Sequence, residues 1–178
     1  MKGVDSIRTD YIKTDSIGAL LWALQPANSL VCKVALETGW RIDDILQLKT
    51  EQIKHCKNKK RHTLTIIESK TNKKSTRVLP LVLLNQLEEQ AGRVYVFEGR
   101  DDYRKHRTRQ AVFLDLKRVA KRFKIKENLS PHSLRKNYAV YLRQQGKTLE
   151  EIQQALNHDR ILTTMIYALA DELTEKYK

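Results

Sequence analysis

The chain has 178 residues, 40% of them hydrophobic and 7% aromatic, enough for one domain, or one with a small appendage, built around a real core. Lys and Arg number 34 against 21 Asp and Glu, and a formal net charge of +13 points to a polyanionic partner, most often nucleic acid, over a merely solvated surplus. No run approaches the ~20 apolar residues of a membrane span, MKGVDSIRTDY does not read as a secretory signal, and two cysteines make neither a disulfide framework nor a zinc site, which fits a reducing, cytosolic setting.

Residues 1–15 are polar and read as a loose lead-in; residues 16–178 read as a single domain. SIGALLWALQ (16–25) has helical spacing and stops at Pro26. NSLVCKVALET (28–38) predicts a second helix with Asn28 as N-cap, Gly39 as the stop and Cys32 in the core. In WRIDDILQL, residues Ile42, Ile45, Leu46 and Leu48 form a helical stripe with Arg41 at its entrance. The middle changes character: HTLTIIES (62–69) and TRVLPL (76–81) are β-rich and flank the polar turn KTNKK, predicting a hairpin, with a third strand near 51–56 and Cys56 in a basic turn. Helical periodicity returns near 82–92, 108–123, 131–145, 148–157 and 161–170. The fold class is mainly α with one small antiparallel β-sheet (α+β).

Four stretches carry chemistry. In SPHSLRKNY (130–138), Ser130 caps a helix, Pro131 suits its first position, and His132 and Arg135 share a face beside free backbone N–H groups. That suits a phosphate, the alternative being a basic face with a satisfied histidine. In LNHDRILTTMIYALAD (156–171), Ile161, Leu162, Met165, Ile166 and Leu169 form a stripe expected to face the core. Tyr167 then falls opposite it, toward solvent or a separate site, and His158 lies in the connection before the helix. In ETGWRIDDILQL, Asp44 lies three residues beyond Arg41 and could hold its guanidinium, or form an ordinary surface ion pair. Asp43 and Asp44 point ~100° apart on a helix and are poor joint metal ligands. In ESKTNKKSTRVLPL, Lys70 sits at the hairpin mouth, where an ammonium can reach into a groove and donate a proton.

Basic segments supply candidate contacts to a phosphate backbone, or else are solvated loops. KHCKNKKRH offers Lys54, Lys57, Lys59, Lys60 and Arg61. YRKHRTR offers Arg104, Lys105, Arg107 and Arg109, and the hairpin offers Lys73 and Lys74.

The ordered set Arg41, Lys70, His132-x-x-Arg135, His158, Tyr167 resembles the signature of the tyrosine recombinases, the phage-integrase family, over residues 16 to 171. TGWRIDDILQL is similar to the family's T-G-x-R-[IL]-x-E-[LI]-x-x-L segment, SKTNKKSTRVLPL to its lysine hairpin, and SPHSLRKNYAVYLRQQG to its H-x-L-R-H-[ST] helix. LNHDRILTTMIYA is similar to the segment in which L-G-H precedes T-x-x-Y, with nine positions from histidine to tyrosine. Departures are Trp40 for leucine, Asn157 for glycine, Lys136-Asn137 for His-Thr or His-Ser, and Leu169 for a histidine.

The resemblance implies a tyrosine recombinase catalytic-domain fold and a metal-independent strand transferase of a phage or mobile element. Tyr167 would form a 3′-phosphotyrosyl intermediate, Arg41 and Arg135 would hold the phosphate, Lys70 would protonate the leaving oxygen, His132 would act as general acid/base and His158 would bond the phosphate. No metal or nucleotide cofactor is needed, and no P-loop is present. The implied partner is double-stranded DNA in the cytoplasm or nucleoid, with a monomer in solution assembling as dimer to tetramer on DNA, and the C-terminal DELTEKYK docking on a neighbour. Family members carry an N-terminal core-binding domain that residues 1–15 are too few to supply. The alternatives are a nicking–closing enzyme resembling a type IB topoisomerase and a non-catalytic DNA-binding regulator.

Overall fold

A computed structural model describes residues 10–58 and 60–172. The expected docking of the C-terminal DELTEKYK falls mostly outside them, on residues 173–178. The elements in chain order are α1 (Thr14–Ala23), α2 (Pro26–Thr38), α3 (Ile42–Leu46), α4 (Thr50–Lys57), β1 (Thr63–Ile67), β2 (Lys74–Val78), α5 (Leu81–Gln90), α6 (Arg109–Arg122), α7 (Pro131–Gln144), α8 (Leu149–Ala155) and α9 (Ile161–Ala168). The class is as expected: among the described residues it is mainly helical, with one two-stranded antiparallel sheet in which Thr63 faces Val78 and Ile67 faces Lys74.

α2 is the central helix, buried along most of its circumference. It starts two residues earlier than expected, with Pro26 in its first turn, where a missing N–H costs nothing. Asn28 is therefore no cap. It is buried, donates to Asp115 Oδ2 (2.7 Å) and accepts from Arg107 Nε (2.6 Å). Asp115 also accepts from the Gln25 N–H and from Arg118, tying α6 to the α1–α2 junction.

The expected third strand near 51–56 is helix α4. Ile53 and Cys56 fall on one buried face of it, three residues apart, so Cys56 belongs to the core and not to a turn. Its neighbourhood contributes only an isolated bridge, Lys49 to Tyr95, to β pairing. The lead-in is also less loose than expected. Ile12 is fully buried, and Asn137 on α7 reads its backbone in both directions, accepting from its N–H (3.1 Å) and donating to its carbonyl (2.7 Å).

Among the described residues two apolar clusters result. The larger gathers α1 to α6 and the hairpin, and includes Trp40, Phe97 and Leu134. The smaller joins Tyr138 and Ala139 of α7 to Ile152, Leu156, Tyr167 and Ala168 of α8 and α9. α7 thus belongs to both, and its N-terminal half lies at the seam between them. Gly39 ends α2 at φ 69°, and a Cβ there would lie 2.2 Å from the Tyr138 ring. Trp40, fully buried, donates its indole N–H to Ser75 Oγ on β2 (2.8 Å), fastening the hairpin beside the end of α2.

Two outcomes test this packing. Gly39→Ala should cost about 2–4 kcal/mol in urea unfolding, combining a left-handed backbone with an overpacked ring. Burial pushes the Asp115 carboxyl up, but hydrogen bonds from Asn28, Gln25 and Arg118 outweigh it and hold the pKa below the ordinary 3.8. The folded value lies below the unfolded one, so its stabilisation is full at neutral pH and fades as pH falls from 3.8 toward the folded value. Asp115→Asn should flatten that acid limb of a pH-dependent melting series.

Candidate active site

The seam holds the predicted histidine–arginine pair. Ser130 caps α7, its Oγ accepting from the His132 N–H (3.1 Å) while its own N–H donates to Ser133 Oγ (3.1 Å). This fixes the first turn that carries His132 and Arg135. The Arg135 side chain is buried and donates to two backbone carbonyls, Gly39 and Leu156, joining the end of α2 to the end of α8. Burial, then the charge of Arg41, lower its pKa to about 10, so it remains a cation at neutral pH.

Arg41 stands at the N-cap of α3 with its side chain 17% exposed. Its Nη1 pairs with Glu68 and lies 4.0 Å from Asp44. Asp44 is occupied mainly elsewhere: its Oδ1 accepts from the Ser69 N–H (2.9 Å) and hydroxyl (2.7 Å), anchoring the turn of the hairpin. Lys70 is the next residue, and its side chain is exposed.

His158 follows Asn157, which has φ 47°. The His158 backbone is held by Gln153, whose carbonyl accepts its N–H (3.1 Å) and whose amide donates to its carbonyl (3.0 Å). Its Nδ1 lies 3.1 Å from Thr164 Oγ1, and its ring meets Tyr167 edge-on at 4.9 Å and 82°. The Tyr167 hydroxyl lies 3.1 Å from His132 Nδ1.

Tyr167 is opposite the apolar stripe of α9 as expected, but the faces are exchanged. Thr164, Tyr167 and Ala168 are buried, while Ile161, Leu162 and Met165 are exposed. The reason is polar satisfaction. Thr164 and Tyr167 each have a histidine partner inside, so a polar face can be buried against α7 and α8 without orphaned hydroxyls.

The structure brings Arg41, His132, Arg135, His158 and Tyr167 into one cluster, with Lys70 at its edge. Electrostatics reflect the crowding. Burial, then Arg109, Arg135, Arg41 and Lys136, lower the His132 pKa to about 4. Burial, then Arg135, Arg41 and Lys70, lower that of His158 to about 3. Burial raises the Tyr167 pKa against the opposing pull of Arg135 and Arg41, so the phenol keeps its proton at neutral pH.

The other basic candidates divide. Lys54, Lys60, Arg61, Lys74 and Lys105 are exposed. Lys73 pairs with Asp159 (3.3 Å), Lys57 with Glu88 and Arg104 with Asp102 (3.0 Å). Arg109 lies 3.9 Å from Asp43. The Arg107 guanidinium is engaged with Gln25 and Asn28, and Lys59 lies outside the described residues.

Sequence reasoning missed Glu68, Arg77 and Thr164. Glu68 had a signal: Leu64, Ile66 and Glu68 alternate, so the carboxylate falls on the buried face of β1 and requires a cation. Arg77 on β2 donates to Thr38 O (3.1 Å) and Ala155 O, bracketing the same two chain segments as Arg135. No pattern in the sequence announces that role.

Both histidines have folded pKa values below 6.5, so their contribution to stability is complete above pH 6.5 and lost as pH falls toward 4 and 3. In NMR titrations of the DNA-free protein, neither ring should protonate between pH 5 and 8. His158→Ala should remove part of the stability loss below pH 6.5.

The phage integrase family model matches residues 11–173. A tyrosine recombinase of Thermosipho africanus (strain TCF52B) is 29% identical over 168 residues, covering 89% of this chain and 56% of that protein. The catalytic domain of bacteriophage HP1 integrase superposes with TM-score 0.64 at 20% identity, covering 96% of this chain and 95% of that one. XerH site-specific recombinase bound to palindromic difH substrate, in a post-cleavage complex, superposes with TM-score 0.71 at 18% identity, covering 99% of this chain and 54% of that one. The chain spans about half the length of the curated relatives it matches. With the family match over nearly its whole described length, the chain belongs to the phage integrase family, the tyrosine recombinases.

Proposed function

We propose that the chain is the strand-transfer domain of a site-specific DNA recombinase or integrase, cleaving and rejoining DNA through a 3′-phosphotyrosyl intermediate. The observation that carries this is the Tyr167 hydroxyl held 3.1 Å from His132 Nδ1, in a cluster where the charges of Arg135 and Arg41 act on the phenol.

The Tyr167 oxygen attacks the phosphorus and its proton passes to Nδ1 of the neutral His132 ring. The bond from phosphorus to the 5′ oxygen breaks, and that oxygen takes a proton from the Lys70 ammonium. Arg41 and Arg135 hold non-bridging oxygens and stabilise the pentacoordinate state, each by roughly 3–4 kcal/mol if they act like other oxyanion donors. Two N–H groups of Arg135 go to carbonyls, which leaves others for the phosphate. With Thr164 donating to Nδ1, His158 keeps Nε2–H for a phosphate oxygen. The phosphotyrosyl ester retains the bond energy, so a 5′-hydroxyl from a second duplex can reverse the attack and exchange strands.

The partner is double-stranded DNA, on which copies assemble as dimer to tetramer. Tyr167 and His132 belong to the same chain, which favours cleavage by each subunit's own tyrosine. Among the described residues no helix is long and apolar enough to cross a membrane, and a place on DNA in the cytoplasm fits this chemistry.

The test is incubation with a pool of nicked duplexes of randomised sequence, followed by trapping of covalent adducts. An adduct absent in Tyr167→Phe supports the reading, and no adduct from the wild type contradicts it. Joining between two duplexes separates recombination from nicking and closing of one. Lys70→Ala should slow cleavage about 10²–10⁴-fold. Substrates with sulfur in place of the bridging 5′ oxygen, whose thiolate leaves without a proton, should recover most of that loss.

A further inference from the structure

We propose that Glu68 is a positioning residue of the strand-cleavage centre, its carboxylate setting Arg41 on one side and, through Asn157, the turn that carries His158 on the other. What the centre does rests on the function proposed above; which residue holds it together rests on geometry. Glu68 is fully buried, one residue past the end of β1. Its Oε2 accepts from Arg41 Nη1 and from the Thr71 hydroxyl (3.1 Å), and its Oε1 accepts from Asn157 Nδ2 (2.9 Å). Its backbone is fixed as well: the N–H donates to Lys73 O (3.0 Å) and the carbonyl accepts from the Asn72 N–H (2.8 Å). Three segments remote in sequence therefore share one carboxylate: the entrance of α3, the turn holding Lys70, and the α8–α9 connection.

Burial raises the Glu68 pKa, but the hydrogen bond from Asn157 and the charge and hydrogen bond of Arg41 outweigh it, so the group is an anion at neutral pH. An uncharged side chain of the same shape could not restrain a guanidinium to the same degree.

Asn157 is the other half of the device. At φ 47° glycine is unstrained, and asparagine is among the few side chains that tolerate the left-handed region. Its amide does what glycine cannot, bonding Glu68 from the residue next to His158. Asn157→Gly therefore separates fold from function, because it relaxes the backbone and deletes the bond at once.

Two readouts decide the matter. The first is NMR of ¹⁵N-arginine-labelled protein, with the Arg41 guanidinium signal identified by its loss in Arg41→Lys. That signal should be motionally restricted in the wild type and averaged in Glu68→Gln. The second is single-turnover cleavage of the nicked-duplex pool at saturating DNA, with Tyr167→Phe as the blank. Asn157→Gly should melt at or above the wild-type temperature yet cleave about tenfold more slowly, as expected of a displaced reacting group. An Arg41 signal still rigid in Glu68→Gln, or wild-type cleavage by Asn157→Gly, overturns the proposal. Absence of any Tyr167-dependent adduct in the wild type overturns the recombinase reading instead, while the arginine spectra still show whether Glu68 holds Arg41.

Discussion

Two guanidinium groups, those of Arg41 and Arg135, lie close together with little access to water. Burial, and then the charge of Arg41, take the Arg135 pKa down to about 10. Gathering like charges in such a place opposes folding unless buried acceptors compensate. The chain supplies them: the carbonyls of Gly39 and Leu156 for Arg135, and Glu68 for Arg41, with the Asp44 carboxylate charge 4.0 Å from the Arg41 guanidinium. Burial, and after it the nearby cations, hold both histidines of the site neutral, so the local charge stays positive without becoming intolerable. A phosphate arriving there would meet preorganised donors and relieve the remaining repulsion, which is how such sites stabilise charge that develops during a reaction.

The fold is arranged around this constraint. α7 lies in both apolar clusters, so its N-terminal turn is fixed from two sides where the clusters meet. Arg135 and Arg77 each bind carbonyls at the end of α2 and at the end of α8, two segments more than a hundred residues apart in sequence. Gly39 is the point where these demands coincide. It must end α2, expose its carbonyl to Arg135 and leave room for the Tyr138 ring, and a residue with a Cβ satisfies only some of these. Trp40, unusual beside the family pattern, buries its indole and holds β2 through Ser75, so the hairpin bearing Lys70 is attached to the same corner.

Much of this was legible in the sequence because it is written in local signals. Ser130-Pro131 marked the start of α7, Gly39 the end of α2, and β-branched alternation the hairpin. The errors came where tertiary partners override local rules. Residues 51–56 looked like a strand, yet Ile53 and Cys56 are spaced for one helical face. Asn28 looked like a cap because asparagine often is one, while the structure uses both ends of its amide in the core. The stripe on α9 misleads because hydrophobicity alone does not decide burial there. Thr164 and Tyr167 are inside because each finds a histidine, and those partners lie on other segments. Glu68 stood in the right phase on β1, but its cation, Arg41, lies 27 residues away and only the fold joins them.

If Arg41 and Arg135 flank a single phosphoryl group with the phenol of Tyr167 in line, the protein should bind a mimic of that geometry. A crystal structure of the protein with orthovanadate, which adopts the five-coordinate geometry of a phosphoryl transition state, tests this most directly. Vanadium should be bonded to the Tyr167 oxygen, with equatorial oxygens taking hydrogen bonds from Arg41, Arg135 and His158. Vanadate bound elsewhere, or bound at Tyr167 with no Arg135 N–H within hydrogen-bond distance of it, is incompatible with such a site.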